Sequence, residues 1–540
     1  MKQLFQPLKL ILVGMGSTLF ATSCMMVGPD FARPTSKVET TFNKPTSSEF
    51  TAAIPESQNA YLNPTQWWAS FDDPTLTKLL EKASSQNLTL QQAALRVFQM
   101  QAQLGVSDAS VLPTVELSAS SAQYRNSVFQ EITNNSNNLI TKNVVVQANW
   151  EIDFWGKLRR GVESNLSSYL SAVAAYYASD VSISADVANA YINVRNNEAL
   201  IEVAKTNLAL QAESLRIAKA RFNYGATSML DLSQATSQYE QTKSEIPPLI
   251  ASLRKSEYAL SVLLGEPPDY YAKHFGATKG TLKPPPELGV GIPRDLLRRR
   301  PDVLQAEYAA AAQSALIGVN KAALFPSFTL GGIFGFATSN YGSVNQGPMF
   351  SWGNTSSGLT GGLVFPLFYR GAIIDQIRVQ DAVFQQSVLA YQNQVLMAQK
   401  EVEESLITIS TSKSSVEDLK KSVVAAQSAA ELALERYKAG QNDYSTVISA
   451  QQSLLRVQNS SVQMQTNQLL GYVGAFKSLG GGWAADMKVP QLPKQMVSEM
   501  EDRTDWGSVL TQTGDPTNVR IGKVLTGTPD SSATSGKWND

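Results

Sequence analysis

The longest uninterrupted helical pattern in this chain spans residues 371–440 and reads GAIIDQIRVQDAVFQQSVLAYQNQVLMAQKEVEESLITISTSKSSVEDLKKSVVAAQSAAELALERYKAG. It contains no proline, and its only glycines are the two terminal residues. β-branched apolar residues recur at every seventh position: Val388, Val395, Val402, Ile409, Val416 and Val423. Because seven residues are close to two helical turns, this repeat places one apolar row along a supercoiled helix. Such a helix is about 100 Å long, several times longer than an ordinary globular core.

The same pattern occurs earlier in the chain, displaced by 215 residues (440 − 225). The earlier row consists of Val187, Val194, Ile201, Leu208, Leu215 and Phe222. Other positions match at offsets of 213 or 215: Gly105 and Gly318, Pro113 and Pro326, Gly156 and Gly371, Arg221 and Arg436, Gly225 and Gly440. Self-similarity at a fixed offset indicates a duplicated structural unit. We therefore predict two long helices, the first from Lys157 to about Phe222, that end near Gly225 and Gly440.

The composition excludes several functional classes. The 540 residues include 43% hydrophobic and only 17% charged residues, and the net charge is −1, so nothing indicates nucleic-acid binding. With one histidine, His274, and one cysteine, a histidine-based catalyst or a Cys/His metal cluster is nearly excluded by counting. Glu151 and Asp153 lack a second catalytic group, and we interpret them as polar residues at a strand–helix junction. We expect neither enzymatic activity nor a cofactor.

The N-terminus has the organisation of a secretory signal peptide. Lys2 and Lys9 precede a short apolar run over residues 10–21, which is too short for a comfortable transmembrane helix. The sequence Ala-Thr-Ser-Cys that ends at Cys24 resembles a bacterial lipobox, with alanine where leucine is usual. We predict that Cys24 is the lipidated first residue of the mature protein. Met25 is not the aspartate of an inner-membrane retention signal, which favours the outer membrane.

The remaining chain alternates between helical and strand periodicity. Helices are expected over 74–85 and 88–112, and the helix that returns from Gly225 should be interrupted at Pro247-Pro248. Alternating residues predict strands over 115–119, 144–152, 328–336 and 359–368, with a Gly/Ser/Asn loop over 339–357 and a polar loop over 134–138. The predicted segments are a signal peptide (1–23), a lipidated tether (24–73), a first repeat of helix, two strands, long helix and helix (74–265), a linker (266–293), a second repeat (294–483) and a polar, partly disordered tail (484–540).

Four strands per chain impose a condition on assembly. They cannot close a barrel wide enough for a channel, and open edges would leave backbone groups that lipid cannot satisfy. Three chains would supply about twelve strands, within the range of outer-membrane barrels. The predicted fold is an α+β membrane protein, internally duplicated. Its long antiparallel coiled-coil helices form a wall that is wet on the inside and the outside, and its strands contribute to a barrel shared by several chains. The alternative from the strands alone is a soluble two-sheet domain capped by helices.

Seven short motifs extend from residue 27 to residue 483. They are VGPDF (27–31), WWxxFxDP (67–74), WEID with a following glycine (150–156), LLGxPP (263–268), RRRPDV (298–303), IGVxKAxLFPSF (317–328) and LGGGW (479–483). With these motifs the chain resembles the TolC-type outer-membrane efflux channels, in the lipoprotein (NodT-like) branch that serves RND-type pumps. The resemblance covers residues 24–483.

The resemblance implies a homotrimer that lies in the outer membrane and is anchored in the membrane lipid. It also implies that the strands form a trimeric 12-stranded transmembrane β-barrel and that the long helices form a periplasmic α-barrel, a tunnel of twelve helices. This tunnel would meet a periplasmic adaptor protein and an inner-membrane RND-type pump. By this resemblance, the helix breaks at Gly225 and Gly440 are the periplasmic tips, where the tunnel closes and the adaptor docks. The resemblance implies that the tip, gate and adaptor-contact residues are Arg221, Gly225, Thr227, Asp231, Arg436, Tyr437, Gly440 and Asp443. The second repeat has Thr446 where the first has Asp231, so an acidic constriction is thinner here than in the family pattern.

Three functions remain open at the level of sequence. The first is a passive duct for small molecules, such as drugs or other toxic compounds, in a tripartite efflux pump. The second is the outer-membrane exit of a type I protein secretion system, and the third is a coiled-coil envelope lipoprotein without a channel. The lipobox and the lipoprotein-branch motifs favour the first.

Overall fold

The computed structural model describes residues 26–35, 64–124, 139–276, 282–285, 300–339, 348–481, 487–511 and 514–518. The predicted signal peptide, Cys24, the polar loop over 134–138 and Trp483 lie outside these residues. The helices are α1 (Pro74–Gln86), α2 (Leu88–Ala109), α3 (Lys157–Asn223), α4 (Met229–Leu263), α5 (Tyr270–His274), α6 (Pro301–Ala322), α7 (Arg370–Lys438), α8 (Tyr444–Ser478) and α9 (Lys494–Glu501). The strands are β1 (Thr114–Tyr124), β2 (Leu139–Ile152), β3 (Ser327–Ser339) and β4 (Thr355–Val364).

The four strands form one antiparallel sheet in the order β1-β2-β3-β4. The two repeats join through β2 and β3, where Ile152 lies opposite Phe328. Within the described chain, β1 and β4 each pair with one strand only, so each leaves an outer edge without a hydrogen-bonded neighbour. Large apolar side chains such as Leu117 of β1, Phe334 of β3 and Leu359 of β4 are exposed. One chain therefore neither closes its sheet nor covers it.

The fourth strand differs at both ends from the strand predicted over 359–368. β4 begins four residues earlier, inside the predicted loop, because Ser356 and Ser357 pair with Gly335 and Phe334 of β3. It ends at Val364, two residues before Pro366, which has no N–H to continue the hydrogen-bonded ladder. The predicted loop over 339–357 also contains a short 3-10 turn, Trp352–Asn354.

Both long helices are confirmed within two residues of the predicted ends. The predicted interruption of the first return helix is wrong, because α4 continues through Pro247 and Pro248. The two prolines remove hydrogen bonds to the carbonyls of Lys243 and Ser244. Both of these residues are exposed, so water can take the place of the missing donors. In the part of the chain described, no helix is both long and apolar enough to cross a membrane.

The apolar rows are confirmed only over roughly the two thirds of each helix nearest the sheet. On α7 the row is buried from Val388 to Val416, but Val423 is only partly buried. On α3 the row is buried as far as Ile201. Below that point Leu208 and Leu215 are partly buried and Phe222 is 37% exposed. Three of the buried positions between Ile201 and Ile217 belong to polar residues: Asn207, Gln211 and Ser214.

The two repeats hold their helical ends together in equivalent ways. Asn87, between α1 and α2, donates from Nδ2 to the carbonyl of Leu263 at the end of α4 over 2.7 Å. Arg300, which precedes α6, donates from Nη1 to the carbonyl of Ser478 at the end of α8 over 2.9 Å. Arg300 is 4% exposed and also forms ion pairs of 2.7 Å with Asp302 and Glu401. In each repeat, the side chain that immediately precedes the helix before the strands (α2 or α6) thus binds the end of the return helix (α4 or α8).

The N-terminal residues 26–35 lie as an extended strap across both repeats. The amide of Val27 donates to the carbonyl of Trp155 over 3.0 Å, and Asp30 pairs with the buried Arg160 of α3 over 2.7 Å. Gly28 has φ 113°, and a Cβ there would lie 2.4 Å from the Cα of Gly318 in α6. Only glycine at both positions permits this close contact. The strap therefore docks in one register next to the strand–helix junction.

Residues 487–511, within the tail predicted to be polar and partly disordered, pack against the helices. Val489, Met500 and Leu510 are buried against Phe98 of α2, and α9 lies within this segment. The hydroxyl of Tyr177 on α3 also donates to the carbonyl of Lys488 over 2.9 Å. These apolar residues are widely spaced in a segment whose overall composition is polar, so the sequence pattern did not predict their packing.

A single carboxylate interrupts the apolar row of α3. Asp180 occupies the position equivalent to Val395, which is only 3% exposed in α7. It faces a cavity of about 440 Å³ that is also lined by Trp68, Ser84 and Ser184. Burial raises the pKa of Asp180 to about 6 because the charged form loses water.

Replacing Arg300 by leucine should destabilise the fold by about 2–4 kcal/mol, because Asp302 and Glu401 lose their shared cation. Denaturant titration of the detergent-solubilised protein measures this change in free energy of unfolding. The control is Arg378→Leu, whose ion pair with Asp375 is exposed on both sides and should change stability by less than about 0.5 kcal/mol. Equal effects of the two substitutions would contradict the role of Arg300.

Asp180→Asn should stabilise the protein at pH 8 and have little effect at pH 4. The native pKa exceeds the unfolded value, so the stability lost through ionisation of Asp180 develops as the pH rises from about 4 to about 6 and stays lost above it. At pH 8 the gain in free energy of unfolding is at most about 3 kcal/mol. Unfolding titrations at both pH values test this, with Asp186→Asn on the exposed face of α3 as control. A gain that does not depend on pH would refute this assignment.

Candidate functional site at the helix tips

The two tip turns share one type of helix end. After α3, the amide of Ala226 donates to the carbonyl of Arg221 over 2.8 Å and the amide of Gly225 to that of Phe222 over 2.9 Å. After α7, Gln441 and Gly440 repeat the pattern, donating to Arg436 over 2.8 Å and to Tyr437 over 3.0 Å. This arrangement requires a left-handed residue, and Gly225 and Gly440 have φ 72° and 76°. The predicted breaks at both glycines are confirmed.

Arg221 connects the two tips within one chain. Its Nη1 donates to the carbonyl of Tyr437, and its Nη2 donates to the carbonyl of Ala226 over 3.2 Å. The guanidinium also lies 4.6 Å from the centre of the Tyr437 ring, within the range of a cation–π interaction. Arg221 therefore caps its own turn and holds the end of α7 at the same time.

Tyr437 is the centre of the contact between the tips. Its side chain is 1% exposed and packs edge-on against Tyr444 at a centroid distance of 5.1 Å. Its hydroxyl lies 3.5 Å from both Thr227 Oγ1 and Asp231 Oδ2, and the hydroxyl of Thr227 donates to Asp231. Burial raises the pKa of Tyr437, so the ring stays neutral at physiological pH.

The tip contact is asymmetric although the repeats are related. Phe222 occupies the position equivalent to Tyr437, and it is 37% exposed, whereas Tyr437 is buried. Thr446 replaces Asp231 in the second repeat. The polar group thus consists of a carboxylate and a threonine from one turn and a tyrosine from the other. Separation of the two tips would break the contacts of Tyr437 with Arg221, Thr227 and Asp231 together, but not the Thr227–Asp231 hydrogen bond, which lies within one tip.

Two predicted tip residues do not join this group. Arg436 and Asp443 are exposed, and among the described residues neither forms an ion pair. Asp443 precedes α8 but its side chain makes no capping hydrogen bond. Sequence reasoning missed Tyr444, whose only signal was an aromatic residue at the start of a helix, directly after Asp443.

Exposed aromatic residues flank β4 at both ends. Phe350 and Trp352 precede the strand, and Phe368 and Tyr369 follow it; all four are at least 66% exposed. A strand of 10 residues spans about 34 Å, or about 25 Å once tilted as in a barrel. Two aromatic groups separated by this distance are typical of the interfaces of a lipid bilayer.

Comparison with known proteins places these features in context. The family model described as outer membrane efflux protein matches residues 79–266 and 292–481. The pyoverdine export outer membrane protein OpmQ of Pseudomonas putida is 30% identical over 438 residues, 80% of this chain and 91% of that protein. Nodulation protein T of Rhizobium leguminosarum bv. trifolii is 29% identical over 470 residues, 86% of this chain and 96% of that protein. The probable outer membrane lipoprotein SilC of Salmonella typhimurium is 27% identical over 476 residues, 88% of this chain and 99% of that protein.

Solved structures have the same fold. The outer-membrane channel OprN superposes with a TM-score of 0.75 at 27% identity, covering 85% of this chain and 99% of that one. The CmeC outer membrane channel of Campylobacter jejuni superposes with a TM-score of 0.76 over 89% of this chain and 99% of its own. At 21% identity, this second likeness concerns the fold alone.

Gly440→Ala and Gly225→Ala should each cost about 1–2 kcal/mol, because alanine is strained in the left-handed conformation. A Cβ at Gly440 would meet only Arg221 at 3.6 Å and one at Gly225 would meet nothing within 4 Å, so strain rather than a clash is the cause. Gly371→Ala, in the first turn of α7, should instead stabilise the protein by about 0.4–1 kcal/mol. Denaturant titration distinguishes the two signs, and a loss of stability in Gly371→Ala equal to that in Gly440→Ala would contradict the assignment.

Proposed function

This chain belongs to the outer membrane efflux protein family, and we propose that it is the outer-membrane channel of a tripartite efflux pump. In this role it is a passive conduit through which small molecules, such as drugs or other toxic compounds, leave the cell. Its relatives are transport proteins, so the chain functions in transport rather than in catalysis. The energy for export comes from a partner pump.

The observation that supports a channel most strongly is the incomplete sheet. Both outer edges lack a strand partner in one chain, yet aromatic residues at each end of β4 mark the two sides of a bilayer. Lipid cannot satisfy unpaired backbone groups, so β4 of one copy must pair with β1 of the next. Because each chain supplies an even number of strands, that pairing is antiparallel, as are the pairs within the sheet. Three copies would give a closed barrel of about twelve strands.

The helices extend the barrel into the periplasm. α3 and α7 are each about 100 Å long, and together with α4 and α8 they supply four helices per copy. Three copies would surround a tunnel with twelve helices. Many of their outward positions carry Ser, Asn and Gln, which suit a wall wetted on both sides.

The tips are the proposed gate. Arg221, Thr227, Asp231 and Tyr437 hold the two turns of one chain together, and the glycines at 225 and 440 permit the tight reversals. While these contacts persist the two hairpins cannot separate, and the tunnel stays narrow. Opening requires release of Tyr437 from Arg221 and from the Thr227–Asp231 pair.

Exposed residues at the two ends of the chain support the proposed partners. Arg436 and Asp443 lie exposed at the tips, where charged groups are available to a periplasmic adaptor that links the channel to an RND-type inner-membrane pump. At the other end, the strap begins at Met26, which contacts Gly156 where β2 passes into α3. A lipid on Cys24, two residues earlier, would therefore enter the outer membrane beside the barrel rim.

Single-channel recording in planar lipid bilayers tests the conduit and its gate together. The wild-type protein should be trimeric in detergent and should conduct, and Arg221→Met should raise the open probability on the order of fivefold, because the second tip loses its clamp. Arg436→Met is the matched control at the equivalent helix end and should behave as wild type.

The possible failures are distinct. A monomeric wild-type protein that passes no current would reject the conduit. A conducting wild type with an unaltered Arg221→Met variant would reject the gate and leave the conduit intact.

A further inference from the structure

An open cavity of about 750 Å³ lies between α3, α4 and α8, away from the tips. Its floor is α3, where Leu200 is partly buried and Ala204 is 3% exposed. Its walls are one side of α4 around Pro248 and one side of α8 around Asn459. Pro248 follows Gly225 by 23 residues (248 − 225), so the cavity is about 35 Å from the turn at the tip. The cavity is therefore separate from the contacts that hold the tips together.

The two adjacent prolines of α4 give this cavity an unusual wall. Pro248 has no N–H for the carbonyl of Ser244, and both residues line the cavity. The carbonyl oxygen of one wall residue thus lacks its usual helical donor. The second repeat has Val462 and Gln463 at the positions equivalent to the two prolines, so α8 keeps these donors. The free acceptor belongs to the first return helix and not to the second.

The other polar groups of the cavity are mainly hydrogen-bond acceptors. Glu245 lines the cavity and forms no ion pair or hydrogen bond with another described residue. Gln463 donates from Nε2 to Asn467 Oδ1 over 3.0 Å, which leaves its own amide oxygen as an acceptor. Among the described residues, no lysine or arginine lines the cavity. An occupant with a positive charge and N–H donors matches these groups, whereas an anion is repelled.

The rest of the lining is apolar and suits a small molecule. Leu200, Leu249, Leu455 and Met464 line the cavity with side chains that are only partly buried. Drug-sized ligands occupy cavities of about 300–1,000 Å³ that are mostly apolar and contain a few polar groups. Burial of a flat apolar body against these side chains would supply most of the free energy of binding. The carboxylate of Glu245 would then fix the orientation of the ligand.

We propose that this cavity binds lipophilic organic cations, with the apolar body between α4 and α8 and the cationic group at Glu245. All of the lining residues belong to one chain, so each copy carries its own site. Binding does not require that the protein conducts or that its tips open. The proposal therefore goes beyond the conduit and the gate and is tested apart from them.

Ethidium is a suitable probe because it is a flat aromatic cation with two amino groups. Its fluorescence anisotropy with the detergent-solubilised wild-type protein should give a dissociation constant on the order of 10 µM. Glu245→Gln should weaken binding about three- to fivefold, which is the contribution of a partly exposed ion pair. Glu202→Gln, at an exposed carboxylate of α3 outside the cavity, is the matched control and should bind ethidium as wild type does.

A second pair of variants locates the site. Ser460→Trp fills the cavity from an exposed position of α8, so it should weaken ethidium binding at least about tenfold and leave the melting temperature unchanged. Ser453→Trp, two turns away on the same face of α8 and outside the cavity, should bind ethidium as wild type does. Equal binding by the two tryptophan variants would place ethidium elsewhere, such as in the micelle, and would overturn the site.

The charge of the probe provides the remaining test. Anilinonaphthalene sulfonate is of similar size but anionic, and the part of its binding that Ser460→Trp removes should be at least about tenfold weaker than that of ethidium. If Ser460→Trp removes binding of both dyes equally and Glu245→Gln changes neither, the cavity accepts apolar ligands in general and the assignment to cations is wrong. Each outcome is read in detergent, so it stands whether or not the protein conducts in planar bilayers.

Discussion

The architecture of this molecule depends on one constraint: every backbone hydrogen-bonding group of the sheet has to be paired. A strand in lipid has no water to compensate for a missing neighbour, so a sheet that enters a bilayer must close. One copy supplies four strands in simple antiparallel order and leaves both outer edges open. Closure then requires other copies, and the helices that continue from those strands are brought around the same axis. The hollow shape of the helical part is thus a consequence of strand pairing rather than of helix packing.

Within each chain the duplication supplies the same structural unit twice, and the two repeats differ at the tips. Near the sheet the repeats remain equivalent: Asn87 and Arg300 bind matching carbonyls at the ends of α4 and α8. At the tips the equivalence is lost, because Tyr437 is buried among polar partners while Phe222 is exposed. The geometry that both repeats share supports the tunnel wall, whereas the tips, which differ between the repeats, allow one hairpin to hold the other.

Sequence reasoning succeeded where structure is determined locally. The glycines at 225 and 440, the helix start at Pro74 and the alternation of β1 depend on residues that are neighbours in the chain. It failed where the outcome depends on distant partners. The predicted break at Pro247-Pro248 is absent because exposed carbonyls tolerate missing donors, and the apolar row of α3 is replaced at Asn207 and Gln211 by residues that face another helix. The resemblance identified the tip residues, but only the geometry separates Arg221 and Tyr437, which are in contact, from Arg436 and Asp443, which are not.

The pairing of β2 with β3 has a consequence for how the protein is made. Next to this junction, the indole of Trp155 donates to the carbonyl of Pro326 across 171 residues of chain. A nascent first repeat therefore emerges with β2 lacking its neighbour β3, and β2 stays unpaired on that side until the chain as far as Ser339 has been synthesised and exported. Such an exposed strand is prone to aggregation. Biogenesis of this protein should therefore depend on periplasmic holding chaperones that bind the first hairpin of strands during this interval.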